Sequence, residues 1–285
     1  MKPAIGTLAV LGVGGARCPA CDGAGLQARI RYPSMHARWS QLFIDSCGYC
    51  GFGHVPHVDF DLAEYYREDY GTEHGRRSYV EPAVFFDALG TSRQRIVRRA
   101  RAHARLISQF AGRPRVVLDV GAGVGVTLAL TAAERKVALE LDSVSVPYLD
   151  YQGIEIIDDL AAFTGRADVI IASHFLEHLP ISGLAPFLAA VRCSLACNGI
   201  LLAEVPEWGF VQHRTLPRRH GHEPHTLFFS PRAFARVMQR AGFVPIYFQT
   251  REFVYELTRS TVEFGQARQK GVADATHLLG MFRAA

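Results

Sequence analysis

The chain has 285 residues, 49% of them apolar and 20% charged, a balance that excludes intrinsic disorder and coiled-coil or collagen-like composition. Its formal net charge of +4 is too mild for a dedicated nucleic-acid binder. No apolar run reaches the ~20 residues that a membrane span needs. The six cysteines are no disulfide framework, because four of them fall in two C-x-x-C pairs.

Residues 1–17 read as a leader. The stretch from Ile5 to Ala16 has some signal-peptide character, but it is Gly-rich and reaches Arg17 with no small-x-small cleavage site, so a cytoplasmic location is expected. Residues 18–58 are rich in Cys, Gly, His and aromatics. Cys18-Pro-Ala-Cys21 and Cys47-Gly-Tyr-Cys50 lie 25 residues apart, and four such thiolates suit a closed, tetrahedral, structural Zn²⁺ site. The alternative is two unrelated free-thiol pairs. His54 or His57 could substitute for a Cys in the metal site, although loop histidines are usually only solvated. A redox pair fits less well, since neither motif opens a helix after a strand.

Residues 59–91 read as a helical connector or lid, including the segment from Asp61 to Tyr70. Ser92 to Phe110 is a predicted helix with apolar positions Ile96, Val97, Ala100, Ala104 and Ile107. Its arginines (Arg93, Arg95, Arg98, Arg99, Arg101, Arg105) form either a solvated face or a phosphate-binding stripe. Short apolar strands are then expected at 115–120, 136–141, 154–157, 167–172 and 200–205, with helices at 124–134 and 182–196. A helix at 231–241, strands at 243–248 and 253–257, and a polar tail at 260–285 complete the chain. Unalternating strands separated by helices imply a parallel sheet buried on both faces, a doubly wound α/β domain over residues 92–259. Cys193 and Cys197, four apart on the predicted helix, are expected in the core.

The first strand runs into Asp119-Val-Gly121-Ala-Gly123-Val-Gly125, a glycine turn that lets a ligand press against main-chain N–H groups. The spacing is not G-x-G-x-x-G, and no G-K-[ST] follows, so neither the dinucleotide fingerprint nor a P-loop is present. Glu140 closes the next strand, where a carboxylate can chelate two ribose hydroxyls. With Leu118 to Gly123, Ala138 to Glu140, Ala167 to Leu179, Asn198 to Pro206 and Phe228 to Phe243 in order, the sequence resembles the class I S-adenosylmethionine-dependent methyltransferases. The resemblance implies a Rossmann-like methyltransferase sheet, with Gly121 and Gly123 facing the methionine part of the cofactor and Glu140 facing its ribose. It puts Asp158 or Asp159 beside the adenine and Ser173 and His174 at the fourth strand's end, with Asp119, Gly125 and Leu141 completing the cofactor set. Asn198 stands where the family usually has Gly, and Pro147 interrupts a helix. The paired C-x-x-C motifs, followed by Glu64-Tyr-Tyr-Arg-Glu-Asp-Tyr70, are similar to methyltransferases of sugar, polysaccharide and natural-product pathways that begin with a small zinc ribbon. Ribosomal-RNA guanine methyltransferases share four N-terminal zinc ligands, but their polyanionic substrates fit a charge of +4 poorly.

His174-Phe-Leu-Glu177-His178 matches H-x-x-E-H, but a zinc protease needs that motif on a long helix, and here it follows a strand. It resembles the E-x-x-E-H of quinone-pathway O-methyltransferases, where a divalent metal is implied, with His174 in place of the first Glu. A helix-start hydrogen-bond network is the alternative reading. Four histidines, His213, His220, His222 and His225, fall within thirteen residues of a loop that leaves the fifth strand's carboxyl end. The alternative for that segment is a plain surface loop. Since His titrates near neutrality, His225 or His178 is the expected general base, with Tyr65, Tyr66, Glu207, His213 and His222 toward the acceptor. The expected activity is methyl transfer from S-adenosylmethionine to a small molecule. An RNA methyltransferase and a non-catalytic cofactor-binding scaffold are the rivals.

Overall fold

A computed structural model describes residues 13–26, 28–32, 38–65, 80–92, 94–163, 165–207, 225–250, 254–258, 261–265 and 277–285. Strands β1 (Val13–Arg17) and β2 (Ala24–Leu26) pair antiparallel around the first cysteine knuckle. β3 (Ala28–Arg31), β4 (Phe43–Ser46) and β5 (Gly53–His54) form a small antiparallel sheet around the second. Among the described residues of the connector, a single turn at Leu62–Glu64 and helix α1 (Pro82–Asp87) are helical. Tyr66 lies outside the described residues, as do most of the leader and His213 and His222.

The larger body alternates strand and helix: α2 (Arg95–Ala111), β6 (Val116–Val120), α3 (Val126–Leu130), β7 (Arg135–Leu139), α4 (Val146–Tyr151), β8 (Glu155–Ile157), β9 (Ala167–Ser173), α5 (Ile181–Ser194) and β10 (Leu195–Pro206). There follow β11 (Leu227–Phe228), α6 (Pro231–Arg240), β12 (Phe243–Gln249), β13 (Val254–Thr258), β14 (Thr261–Gly265) and β15 (His277–Ala284). The main sheet has nine strands in the order β14-β13-β12-β15-β10-β9-β6-β7-β8. Successive residues of its central strands point to opposite faces, as the pleat requires. Leu118, Ile170, Leu201 and Ala203 meet Leu184 and Leu188 of α5 and Phe234 of α6, while Val117, Val169, Ile171 and Leu202 meet Ile107, Leu128 and Leu149 of α2, α3 and α4. Burial on both sides explains why these strands read as unbroken apolar runs.

The structure departs from the expected elements in three places. The tail expected at 260–285 contributes two strands, and β15 is inserted antiparallel between β10 and β12. The sheet is therefore mixed rather than wholly parallel. Leu278, Met281 and Phe282 are fully buried, so the chain's end completes the core. The helix after the glycine turn is short, from Val126 to Leu130, because Gly125 caps it and Thr131 is already extended. Helix α5 stops at Ser194 and β10 begins at once, so Cys193 and Cys197 share no helix face, and both are exposed rather than core. Asn198, at φ +64°, occupies a left-handed position that Asn tolerates, in place of the usual Gly.

The small sheet is not a separate body. Its edge strand β5 pairs with β11, which belongs to the larger unit, in the order β11-β5-β4-β3. Cys18, Cys47, Cys50 and Phe52 pack in the same cluster as Phe229 and Phe234.

Candidate active site

A cavity of about 420 Å³ opens over the carboxyl ends of β6 and β9, where open α/β sheets bind ligands. Asp119, Gly121, Gly123, Ser173, His174 and His178 line it, together with Arg95, Arg99 and His277. The glycines have positive φ of 70° at Gly121, 54° at Gly123 and 75° at Gly125. A Cβ on Gly121 would meet the Phe175 ring at 2.9 Å and one on Gly125 would meet Leu149 at 2.8 Å, whereas at Gly123 it would enter open space. Gly125 thus serves packing, and Gly123 keeps backbone bare at the cavity wall.

Glu140 ends the strand beside this turn. Its carboxylate accepts from the backbone N–H of Gly123 (2.5 Å), Leu141 (2.9 Å) and Asp142 (2.8 Å), tying the second strand end to the turn. Asp119 is buried beneath; burial and the nearby Glu140 charge push its carboxyl well above the ordinary range. Leu141, Asp158 and Asp159 are exposed, and none of them lines the cavity.

A charged network closes the far wall. Glu204, near the carboxyl end of the apolar strand β10, accepts from Ser173 Oγ at 2.9 Å and pairs with His103 Nε2 at 2.9 Å and Arg99 Nε at 3.8 Å. Burial opposes its ionisation, but the His103 ion pair, with Arg99, holds its carboxyl far below the usual range. Arg99 Nη1 lies 2.7 Å from His174 Nε2. Because a guanidinium can only donate, that nitrogen accepts and His174 Nδ1–H faces Glu177 Oε1 at 3.1 Å. His277 of β15 packs edge-on against His174 at 4.7 Å, and burial, with the Arg99 and Arg95 charges nearby, pushes its imidazole down to about 4.

Arg95, Arg99, His103, Glu204 and His277 are site residues that the sequence reading did not assign there. The lone carboxylate in Leu201-Leu-Ala-Glu204-Val was a usable signal, since an isolated charge in a buried strand needs a partner. The arginines were legible only as a stripe.

Glu177, His178 and His225 form a second cluster, their ligating atoms within 4.8 Å of one another. The two imidazoles meet edge to face at 5.0 Å. Glu177 is 1% exposed; burial alone would raise its carboxyl, but the His174 hydrogen bond and the His178 and His225 charges hold it below the usual value. Thr226 N–H donates to the Glu177 carbonyl at 2.7 Å, joining the two segments. Glu207 forms a parallel bridge with Phe229. Tyr65, 2% exposed, packs with Trp39 and Phe60 in the core of the small sheet.

The four cysteines meet. Cys18 and Cys50 sulfurs are 3.6 Å apart and those of Cys21 and Cys47 3.8 Å, with all four within 4.8 Å. Each knuckle ends in a residue of positive φ, Asp22 in one and Gly51 in the other, whose N–H donates to the first cysteine's carbonyl at 2.8 Å.

Residues 93–247, more than half of the chain, match the profile of a methyltransferase domain. The chain belongs to that family, an α/β protein of the Rossmann-like methyltransferase fold. No curated protein matches it. Among solved structures it resembles the N-methyltransferase NodS of Bradyrhizobium japonicum in complex with S-adenosyl-L-homocysteine, at 13% identity, 75% and 97% coverage of the two chains and a TM-score of 0.50. A methyltransferase of Leishmania major is 15% identical over 80% and 87% of the chains, with a TM-score of 0.52. At such identities the likeness speaks for the fold. Among the described residues no helix is long and apolar enough to cross a membrane.

Proposed function

We propose that this enzyme transfers a methyl group from S-adenosylmethionine to a small-molecule acceptor, expected to be a sugar, polysaccharide or natural-product intermediate. The observation that carries this reading is one cavity lined by a bare glycine turn and by His178, whose ring meets that of His225 edge to face. Bound S-adenosylmethionine supplies an electrophilic methyl group on a sulfonium. Gly121 and Gly123 offer backbone against the donor, and Glu140 is poised to exchange its N–H partners for ribose hydroxyls. Arg95 and Arg99 put positive charge at the cavity wall, suited to a carboxylate. Orientation supplies most of the acceleration.

The chain's remaining chemical task is to take a proton from the acceptor. His225 is the proposed base, with His178 as its neighbour. The buried Glu177 carboxylate favours the imidazolium that forms, as a paired carboxylate does for a catalytic histidine elsewhere. Cys18, Cys21, Cys47 and Cys50 are proposed to hold a structural Zn²⁺. Bonds of ~2.3 Å to a tetrahedral ion set sulfurs about 3.8 Å apart, and the observed spacings of 3.6 and 3.8 Å fit. Burial pushes the Cys18 thiol up to about 11, whereas backbone and side-chain donors around Cys47 hold its thiol below the ordinary value against burial. A bound cation would favour the thiolate at all four.

Titration calorimetry with S-adenosylhomocysteine, followed by an acceptor screen with labelled methyl donor, tests the reading. Saturable binding and labelled product support it; absence of binding by folded protein overturns it. Metal analysis of protein purified without added zinc should give one Zn²⁺ per chain, and a stoichiometry near zero overturns the ribbon assignment.

A further inference from the structure

We infer that the cysteine ribbon is part of the acceptor side of the site, with Tyr32 as a positioning residue for His225. The inference rests on the proposed role of His225 as base. Tyr32 follows β3 in the small sheet and is 5% exposed. Its hydroxyl donates to the His225 carbonyl at 2.9 Å and accepts from the His225 N–H at 2.9 Å. One side chain thus grips both backbone polar groups of a residue 193 positions away, fixing the peptides on either side and hence the direction of the imidazole. Burial raises the Tyr32 phenol, so it stays a neutral hydroxyl able to donate and accept at once.

The grip continues along the segment. Val55 N–H donates to the Thr226 carbonyl at 2.8 Å, Leu227 and Phe228 pair with His54 and Gly53, and Ser230 Oγ donates to the Cys50 carbonyl. Those ribbon residues follow directly on Cys50, and Cys47 N–H is bonded to the Phe52 carbonyl at 2.8 Å. Loss of the four-thiol geometry therefore loosens the strand on which the His225 segment is laid. The other face of that segment is held by Glu177 through Thr226, so His225 is placed by the ribbon and by the methyltransferase sheet together. His277 belongs to the other carboxylate–imidazole cluster, with His174 and Glu204, and serves as the internal reference.

The test is imidazole NMR of the full-length, zinc-loaded protein labelled at histidine, with pH titration of each ring. In Tyr32→Phe the His225 and His178 signals should shift, with the His225 midpoint moving by about half a pH unit or more. The His277 signals should stay in place, and S-adenosylhomocysteine affinity should stay within about twofold of wild type. Trp39→Phe, which alters the packing on the Tyr32 ring but leaves its hydroxyl in place, should move the His225 midpoint less than Tyr32→Phe does. Chelation of the ribbon metal should move the same two rings as Tyr32→Phe. His225 and His178 titrations that superimpose on wild type in Tyr32→Phe, or that move equally in Trp39→Phe, overturn the inference. Failure of the base assignment looks different: His225→Ala would then retain turnover while Tyr32→Phe still moved the His225 ring.

Discussion

Two clusters of one carboxylate and two imidazoles stand side by side in this molecule, His174–Glu204–His277 and Glu177–His178–His225. The first is saturated. Glu204 has a serine hydroxyl, a buried histidine and an arginine around it, and the guanidinium of Arg99 occupies the cationic place between His174 and Glu204. In the second, Glu177 is faced by His174 at 3.1 Å, and the charges acting on it are those of His178 and His225. Its balancing charge comes from imidazoles, which exchange protons near neutrality. A cluster neutralised by arginine is built to hold its shape, whereas one neutralised by histidines can change its charge. His174 bridges the two, donating to Glu177 through one nitrogen and meeting Arg99 through the other.

The comparison breaks most visibly at His225. His225→Ala should retain cofactor affinity and lose turnover by about 10²–10⁴-fold, the usual size of a general-base effect. Steady-state rates on the acceptor found by screening decide it, and near-normal turnover would make the second cluster structural as well. The first cluster should instead respond in stability. Glu204→Ala leaves His103, 1% exposed, and Arg99 facing each other without a counter-charge, at a cost of about 3–5 kcal/mol. Glu177→Gln keeps the shape and should cost less, about 1–3 kcal/mol, with its main effect on turnover. Urea unfolding of both variants tests this contrast.

A carboxylate outside both clusters gives a smaller effect. Glu140→Ala should weaken S-adenosylhomocysteine binding by roughly ten- to a hundred-fold, or about 1.5–3 kcal/mol, while the protein stays folded. Unchanged affinity by calorimetry would remove Glu140 from the cofactor site. The smallest effect is a pH signature at His277. Its folded-state midpoint, near 4, lies below the ~6.5 of the unfolded chain, so the unfolded state binds the proton first. The penalty is absent above about pH 6.5, grows as pH falls, and is complete below about pH 4. Between about pH 7.5 and pH 5 wild type should lose about 2 kcal/mol that His277→Gln does not lose. Parallel pH–stability curves for the two proteins would show that His277 is not held neutral by its surroundings.

Local chemistry made much of this legible in the sequence. Apolar runs near Leu118, Ile170 and Leu201 read as buried strands, the glycines after Asp119 read as a turn against a ligand, and the two C-x-x-C pairs read as a cluster. Each rests on a short-range rule of periodicity, permitted φ or ligand spacing. Glu140 could be placed at a strand end but not given partners, because the N–H of Gly123 reaches it only when β6 and β7 lie side by side. His277 was invisible for a plainer reason. A polar-looking tail gives no local sign that its last residues are inserted between two strands that are already in place.

The sequence by itself determined the class of fold, the nature of its ligand turn and the four thiols, since these follow from residue types at short spacing. The tertiary structure alone decided which charges meet. Arg99 comes from a helix, Glu204 from a strand and His277 from the chain's end, and the Tyr32 hydroxyl reaches across 193 residues to His225. Coulomb and hydrogen-bond energies depend on separation in space, and no local pattern encodes which distant side chains a doubly wound sheet brings to one edge.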